Sequence, residues 1–108
     1  MAMTPEAKVK KRVREMLDKL GIYHFSPPGM GLGRSGIPDI IACFNGKFIA
    51  IECKAGNNKT TPLQERELNR IMNAGGETFI AREENLVELH ERLLWICLLY
   101  TSPSPRDS

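Results

Sequence analysis

The chain has 108 residues and a mass of 12.1 kDa, enough for one domain around one modest core. At 42% hydrophobic and 26% charged it reads as globular, and no apolar run approaches the ~20 residues that cross a bilayer. The net charge of +2 hides an asymmetry: residues 1–70 carry 12 Lys/Arg against 7 Asp/Glu, and residues 71–108 carry 3 against 6. A basic front part suits a phosphate-bearing partner.

Thr4-Pro5 predicts the start of a helix, with Thr as cap and Pro at the first position. Val9, Val13, Met16, Leu17 and Leu20 follow at helical spacing, and Gly21 ends the run. Glu6 stands one turn ahead of Val9 on the same stripe. Lys8, Lys10, Lys11, Arg12 and Arg14 lie mostly on the other faces. Residues 22–25 predict a short strand, and residues 26–36 a long Gly- and Pro-rich loop. In that loop Gly31 and Gly33 let a backbone approach phosphates, with Ser35 beside them and Arg34 as a pairing cation. No GKS or GKT follows, so it is not a P-loop.

Residues 38–44 and 47–54 predict two strands joined by Asn45-Gly46, the strongest short hairpin signal. Thr61-Pro62-Leu63-Gln64 predicts a second helix opened by a capping box, with Leu63, Leu68, Ile71 and Met72 inward. Residues 77–81 predict a strand and residues 83–95 a last helix, with Leu86, Leu89, Leu93 and Leu94 as its apolar face. The expected architecture is an α/β domain in the order α-β-β-β-α-β-α over residues 4–95. Residues 96–108 form an atypical tail; from Cys97 it resembles translated adaptor read-through at the end of an assembled reading frame.

The three cysteines, Cys43, Cys53 and Cys97, include no CxxC pair, which argues against a disulfide scaffold or zinc site. With a charged, signal-free start, the chain reads as cytoplasmic, with no membrane partner. His24 and His90 stand alone in sequence.

The turn places chemistry. A two-residue loop at Asn45-Gly46 pairs Phe44 with Lys47, and counting outward brings Asp39 opposite Glu52. Lys54, two residues on, shares that face, while Cys53 points to the other. Two opposed carboxylates repel unless a cation lies between them, and their oxygen ligands suit a hard divalent ion. Such an ion polarises phosphates and acidifies water, and a nearby ammonium positions water or neutralises developing charge. The trio suits phosphodiester hydrolysis.

Ile37-Pro38-Asp39 followed by Ile51-Glu52-Cys53-Lys54 resembles the PD-(D/E)xK signature of restriction-endonuclease-like nucleases. Thr4-Pro5-Glu6, Gly36-Ile37-Pro38-Asp39, Asn45-Gly46-Lys47-Phe48, Thr61-Pro62-Leu63-Gln64 and Ala74-Gly75-Gly76 extend the match. In this order, over about residues 4–82, the chain resembles the VRR-NUC (virus-type replication-repair nuclease) family in its small stand-alone phage form. The resemblance implies a restriction-endonuclease-like core with a central mixed sheet flanked by helices. It implies a structure-selective DNA endonuclease, Holliday-junction-resolvase-like and homodimeric, encoded by a phage or prophage and working in the host cell. Roles in recombination and DNA repair go with it.

The same resemblance implies site roles. Asp39, Glu52 and the Cys53 backbone carbonyl hold Mg²⁺, with Mn²⁺ substituting and no other small-molecule cofactor. Lys54 is the catalytic lysine, Gln64 helps hold Lys54 or the water, and Glu6 adds a helix-one acid that reaches the metal through water. The nucleic-acid-binding set expected from the basic helix, the glycine loop and the segment after the hairpin is Lys8, Lys11, Arg12, Gly31, Gly33, Arg34, Ser35 and Lys59. The substrate is branched or duplex DNA. The alternatives are a flap or single-strand nuclease of the same family, or a non-catalytic nucleic-acid-binding module.

Overall fold

A computed structural model of the chain describes residues 3–28 and 35–101. The first helix, α1, spans Pro5–Leu20, with Thr4 Oγ1 accepting from the Ala7 N–H and Gly21 closing the other end. Strand β1 (Tyr23–Phe25) follows. Its His24 Nε2 lies 2.6 Å from Asp18 Oδ1, tying the strand to the last turn of α1. Strands β2 (Ile40–Phe44) and β3 (Lys47–Cys53) form the hairpin, α2 spans Pro62–Asn73, and β4 spans Glu77–Ala81. A single 3₁₀ turn over Glu83–Asn85 leads into α3 (Leu86–Leu99).

The sheet order is β1-β2-β3-β4, antiparallel across the first two pairs and parallel between β3 and β4. The hairpin register is the one the turn predicts: Phe44 pairs with Lys47 and Ile40 with Ile51. Asn45 (φ 49°) and Gly46 (φ 87°) both sit in the left-handed region, as a type I′ turn requires.

Helices cover both faces of the sheet. On one face Ile40, Ala42, Ile49, Ile51, Cys53 and Ala81 join Val9, Val13 and Leu17 of α1 and Leu86, Leu89, Leu93 and Ile96 of α3 in one buried cluster. Alternation along β3 turns Phe48, Ala50 and Glu52 to the other face, where α2 packs. The result is a mixed sheet flanked by helices, the expected architecture.

Boundaries and faces differ in detail. The first strand begins at Tyr23 rather than residue 22, and Ile22 instead fills the core at 3% exposure. Strand β2 begins at Ile40, not at residue 38. Pro38 has no N–H to give to a ladder, and at Asp39 the side chain takes over the pairing, its Oδ2 accepting from the Cys53 N–H at 2.8 Å. Strand β3 stops at Cys53, leaving Lys54 just beyond it, though the Lys54 N–H still donates to the Ala81 carbonyl.

On α2 the expected inward Leu63 and Met72 are exposed, and the inward stripe is Gln64, Glu67, Leu68 and Ile71. That stripe keeps helical spacing but half of it is polar, so apolar residues alone misplaced it. The last helix starts later and runs longer than predicted. Residues 83–85 form the 3₁₀ turn, and Ile96, in step with Leu89 and Leu93, is buried at 5%, so residues 96–99 continue α3. Leu94 lies outside that stripe and is exposed. The three cysteines are free, and among the described residues no helix is long and apolar enough to cross a membrane.

Candidate active site

The site is assembled at the carboxyl end of β3. The ladder ends at the Ile40–Ile51 pair, so Asp39 comes next to Glu52, close enough to act on its carboxyl, and the Asp39–Cys53 hydrogen bond fixes the Asp39 carboxylate there. Glu52 is 2% exposed, an unusual state for a carboxylate. Its Oε2 accepts from Gln64 Nε2 at 2.9 Å and lies 3.7 Å from Lys54 Nζ. Its Oε1 is buried and, with Asp39 and Glu52 both ionised, receives no hydrogen bond among the described residues.

Burial pushes the Glu52 carboxyl from 4.5 up to about 8. The charge of Asp39 adds to the rise, Lys54 opposes it, and a hydrogen bond with Asp39 and the more distant Glu6 push it further up. Two carboxylates on one side of a sheet cannot both hold their charge cheaply in so dry a place. The Cys53 thiol, turned to the core, is pushed up to about 12, first by burial and then by Asp39 and Glu52. It therefore stays protonated, and only its backbone is available to a cation.

The donor set fits a hard divalent ion. It has two opposed carboxylates, one with an orphaned buried oxygen, and a carbonyl in the strand between Glu52 and Lys54. Among the described residues no third His, Cys, Asp or Glu side chain joins the pair closely enough to share a metal. Glu6 is felt at Glu52 and Cys53 through its charge, as the smallest of the effects on each, rather than by contact.

This arrangement sits inside a recognisable family. The family model described as "Archaeal holliday junction resolvase (hjc)" matches residues 7–96. The chain belongs to this family. The Hjc family comprises PD-(D/E)xK-type nucleases, hydrolases of nucleic-acid esters, and the α-β-β-β-α-β-α order here is their restriction-endonuclease-like core. Over 89 residues the chain is also 35% identical to a protein named "Putative nuclease p44" from Acyrthosiphon pisum secondary endosymbiont phage 1. That match covers 80% of this chain and 91% of the relative. The motif order that resembles VRR-NUC therefore leads, by match, to the Hjc family.

Within this Hjc-family chain Asp39, Glu52, Lys54 and Gln64 come together. The expected nucleic-acid set is scattered. Lys8, Lys11 and Arg12 are exposed on the outer side of α1; Lys11 Nζ is paired with Glu15 at 2.7 Å, and Arg12 lines a groove beside His90 of α3. Ser35 and Lys59 are exposed, whereas Gly31, Gly33 and Arg34 lie outside the described residues. Sequence reasoning passed over Lys10. It follows Glu6 by one turn, and its positive charge reaches Cys53. That four-residue spacing was the available signal. Arg82 was also passed over. It follows the last residue of β4 and donates from Nη1 to the Gly56 carbonyl, bracing the segment after Lys54.

Proposed function

We propose that the protein is a divalent-metal-dependent, structure-selective DNA endonuclease that resolves four-way junctions as a homodimer. The observation that carries this reading is buried Glu52 beside the half-buried Asp39, with Lys54 alongside and Glu52 Oε1 receiving no hydrogen bond from a donor among the described residues. Membership of the Hjc family and the phage relative support it. The ordered motifs of residues 4–82, Gln64 included, support a VRR-NUC-like phage member that works inside the host cell, in recombination and repair.

Asp39, Glu52 and the Cys53 carbonyl would hold the cation, Mg²⁺ by preference for oxygen ligands, with Mn²⁺ able to replace it. When bound, the ion supplies positive charge to a phosphate oxygen and acidity to a water. Lys54 Nζ, 3.7 Å from Glu52, orients the attacking water and offsets charge that develops on the phosphate. Gln64 holds Glu52 in place through its amide. Glu6 would act on this centre through an intervening water, a role its charge effect on Glu52 supports. Phosphate contacts from Lys8, Lys10, Lys11, Arg12, Arg34 and Lys59 and from the glycine loop would hold branched or duplex DNA with little base readout. A two-fold dimer offers two such centres to two strands, which is what symmetric resolution needs.

The test is cleavage of a labelled four-way junction beside linear duplex, single-stranded and flap DNA, with and without Mg²⁺ or Mn²⁺. The expected result is paired, symmetric cuts confined to the junction and lost in EDTA. Cuts in flaps or single strands would keep the nuclease and discard the resolvase. Salt-sensitive binding with no cleavage would replace the enzyme with a binding module.

A further inference from the structure

Helix α2 opens with a reciprocal pair, and one member of that pair also grips Glu52. Thr61 Oγ1 accepts from the Gln64 backbone N–H at 3.2 Å, and the Thr61 backbone N–H donates to Gln64 Oε1 at 2.9 Å. A backbone N–H can only donate, so it holds the oxygen end of the Gln64 amide toward Thr61. The nitrogen end is left to face the sheet, and there it donates to Glu52 Oε2 at 2.9 Å. The cap thus sets which way round the amide stands as well as where it stands. With Glu52 ionised, as a cation requires, the reversed amide would set oxygen against a carboxylate oxygen and NH₂ against N–H, and both hydrogen bonds would be lost. The neighbouring hydroxyl offers no substitute, since Thr60 Oγ1 is engaged with Glu65 Oε2 at 2.6 Å.

We infer that Thr61 is a positioning residue for the proposed reaction: acting through Gln64, it orients Glu52 so that Oε1 is presented to a divalent cation. This rests on reading Asp39, Glu52 and Lys54 as a metal-dependent centre. Thr61 itself is exposed at the start of α2 and touches none of these three residues through a side-chain bond. A cap with no further role would add stability and leave cation binding alone; the inference requires both.

The experiment uses the full chain as wild type, Thr61→Ala, Thr61→Ser, Gln64→Ala, the Thr61→Ala/Gln64→Ala double variant and Glu52→Gln. Mn²⁺ binding is read by electron paramagnetic resonance of the free ion, without DNA. Junction cleavage is read in single turnover, and folding by circular dichroism at the assay temperature. Thr61→Ala is expected to weaken Mn²⁺ binding about 10-fold, the usual effect of removing a group that orients a ligand, and to slow cleavage in step. Thr61→Ser should restore both. In the Gln64→Ala background, Thr61→Ala should change neither reading while still lowering the unfolding midpoint by roughly 4–8 °C.

Wild-type Mn²⁺ affinity in Thr61→Ala, with Gln64→Ala impaired, would overturn the inference alone. So would losses that multiply in the double variant. Unchanged Mn²⁺ binding in Glu52→Gln, or no cleavage by wild type, would overturn the catalytic reading and this inference with it.

Discussion

Glu52 is where the electrostatics of the site converge. Burial and Asp39 raise its carboxyl to about 8, so in the metal-free protein it keeps its proton where an unfolded chain has lost it. Folding takes up that proton between about pH 4.5 and 8. Stability from this group is therefore full below pH 4.5, falls as pH rises, and is gone above about pH 8. The unfolding free energy in EDTA should fall by up to about 1 kcal/mol per pH unit across that window. Glu52→Gln should flatten the slope, and a slope unchanged by that variant would assign the proton elsewhere. Lys54 makes a different prediction. Its side chain is only 10% exposed, but without it the buried Glu52 carboxyl keeps its proton and no unpaired charge is left behind. Lys54→Ala should cleave roughly 10²–10⁴-fold more slowly with an unfolding midpoint close to wild type. An unfolded variant would contradict this.

At the scale of elements, the start of α2 is held against the loop before β2. A Cβ on Gly36 would lie 2.4 Å from the Leu63 carbonyl oxygen, and Gly36 has φ +83°. Gly36→Ala should cost at least about 1–2 kcal/mol from the left-handed backbone alone, and more from the clash, measured by denaturant unfolding. Because Gln64 follows Leu63, cleavage should suffer beyond the loss of stability.

The same elements show what the sequence can and cannot disclose. The hairpin register from Ile40–Ile51 to Phe44–Lys47 was legible because Asn45-Gly46 determines it locally, and the closeness of Asp39 to Glu52 just past its end came with it. The inward face of α2 was not, because hydrophobic pattern favoured Leu63 and Met72, and the stripe in place holds Gln64 and Glu67. Glu67 is 2% exposed and lies within ion-pair distance of Arg66 and Arg70. Burial of that kind depends on neighbours brought by the tertiary fold, which local periodicity does not contain. Family resemblance set Gln64 beside Lys54 or the attacking water, whereas its amide donates to Glu52, a partner that only the packing of α2 on the sheet determines. The continuation of α3 past Trp95 was obscured by the change in composition there.

For the whole molecule, the core and the site lie on opposite faces of one sheet. The apolar cluster belongs to α1 and α3, while Glu52, Lys54 and Gln64 gather on the side of α2. The spread of exposed Lys and Arg supports DNA held chiefly through phosphates. Binding affinity should therefore fall steeply and log-linearly with salt. Arg34→Ala should reduce that slope by about one and weaken binding alike on unrelated sequences. A variant that changed sequence preference instead would indicate base readout.

The Asn45-Gly46 turn lies about 20 Å along the hairpin from Asp39, six residues at ~3.3 Å each. It is remote from the carboxylates, yet its length governs them. One inserted residue that the loop did not absorb would slide one strand past the other by a single position, and side-chain alternation would send Asp39 and Glu52 to opposite faces. Two insertions would restore the face but offset the pair by roughly 7 Å. The carboxylate pair depends on a count as much as on any contact. Descendants of this chain can vary the chemistry of the turn far more freely than the number of residues in it.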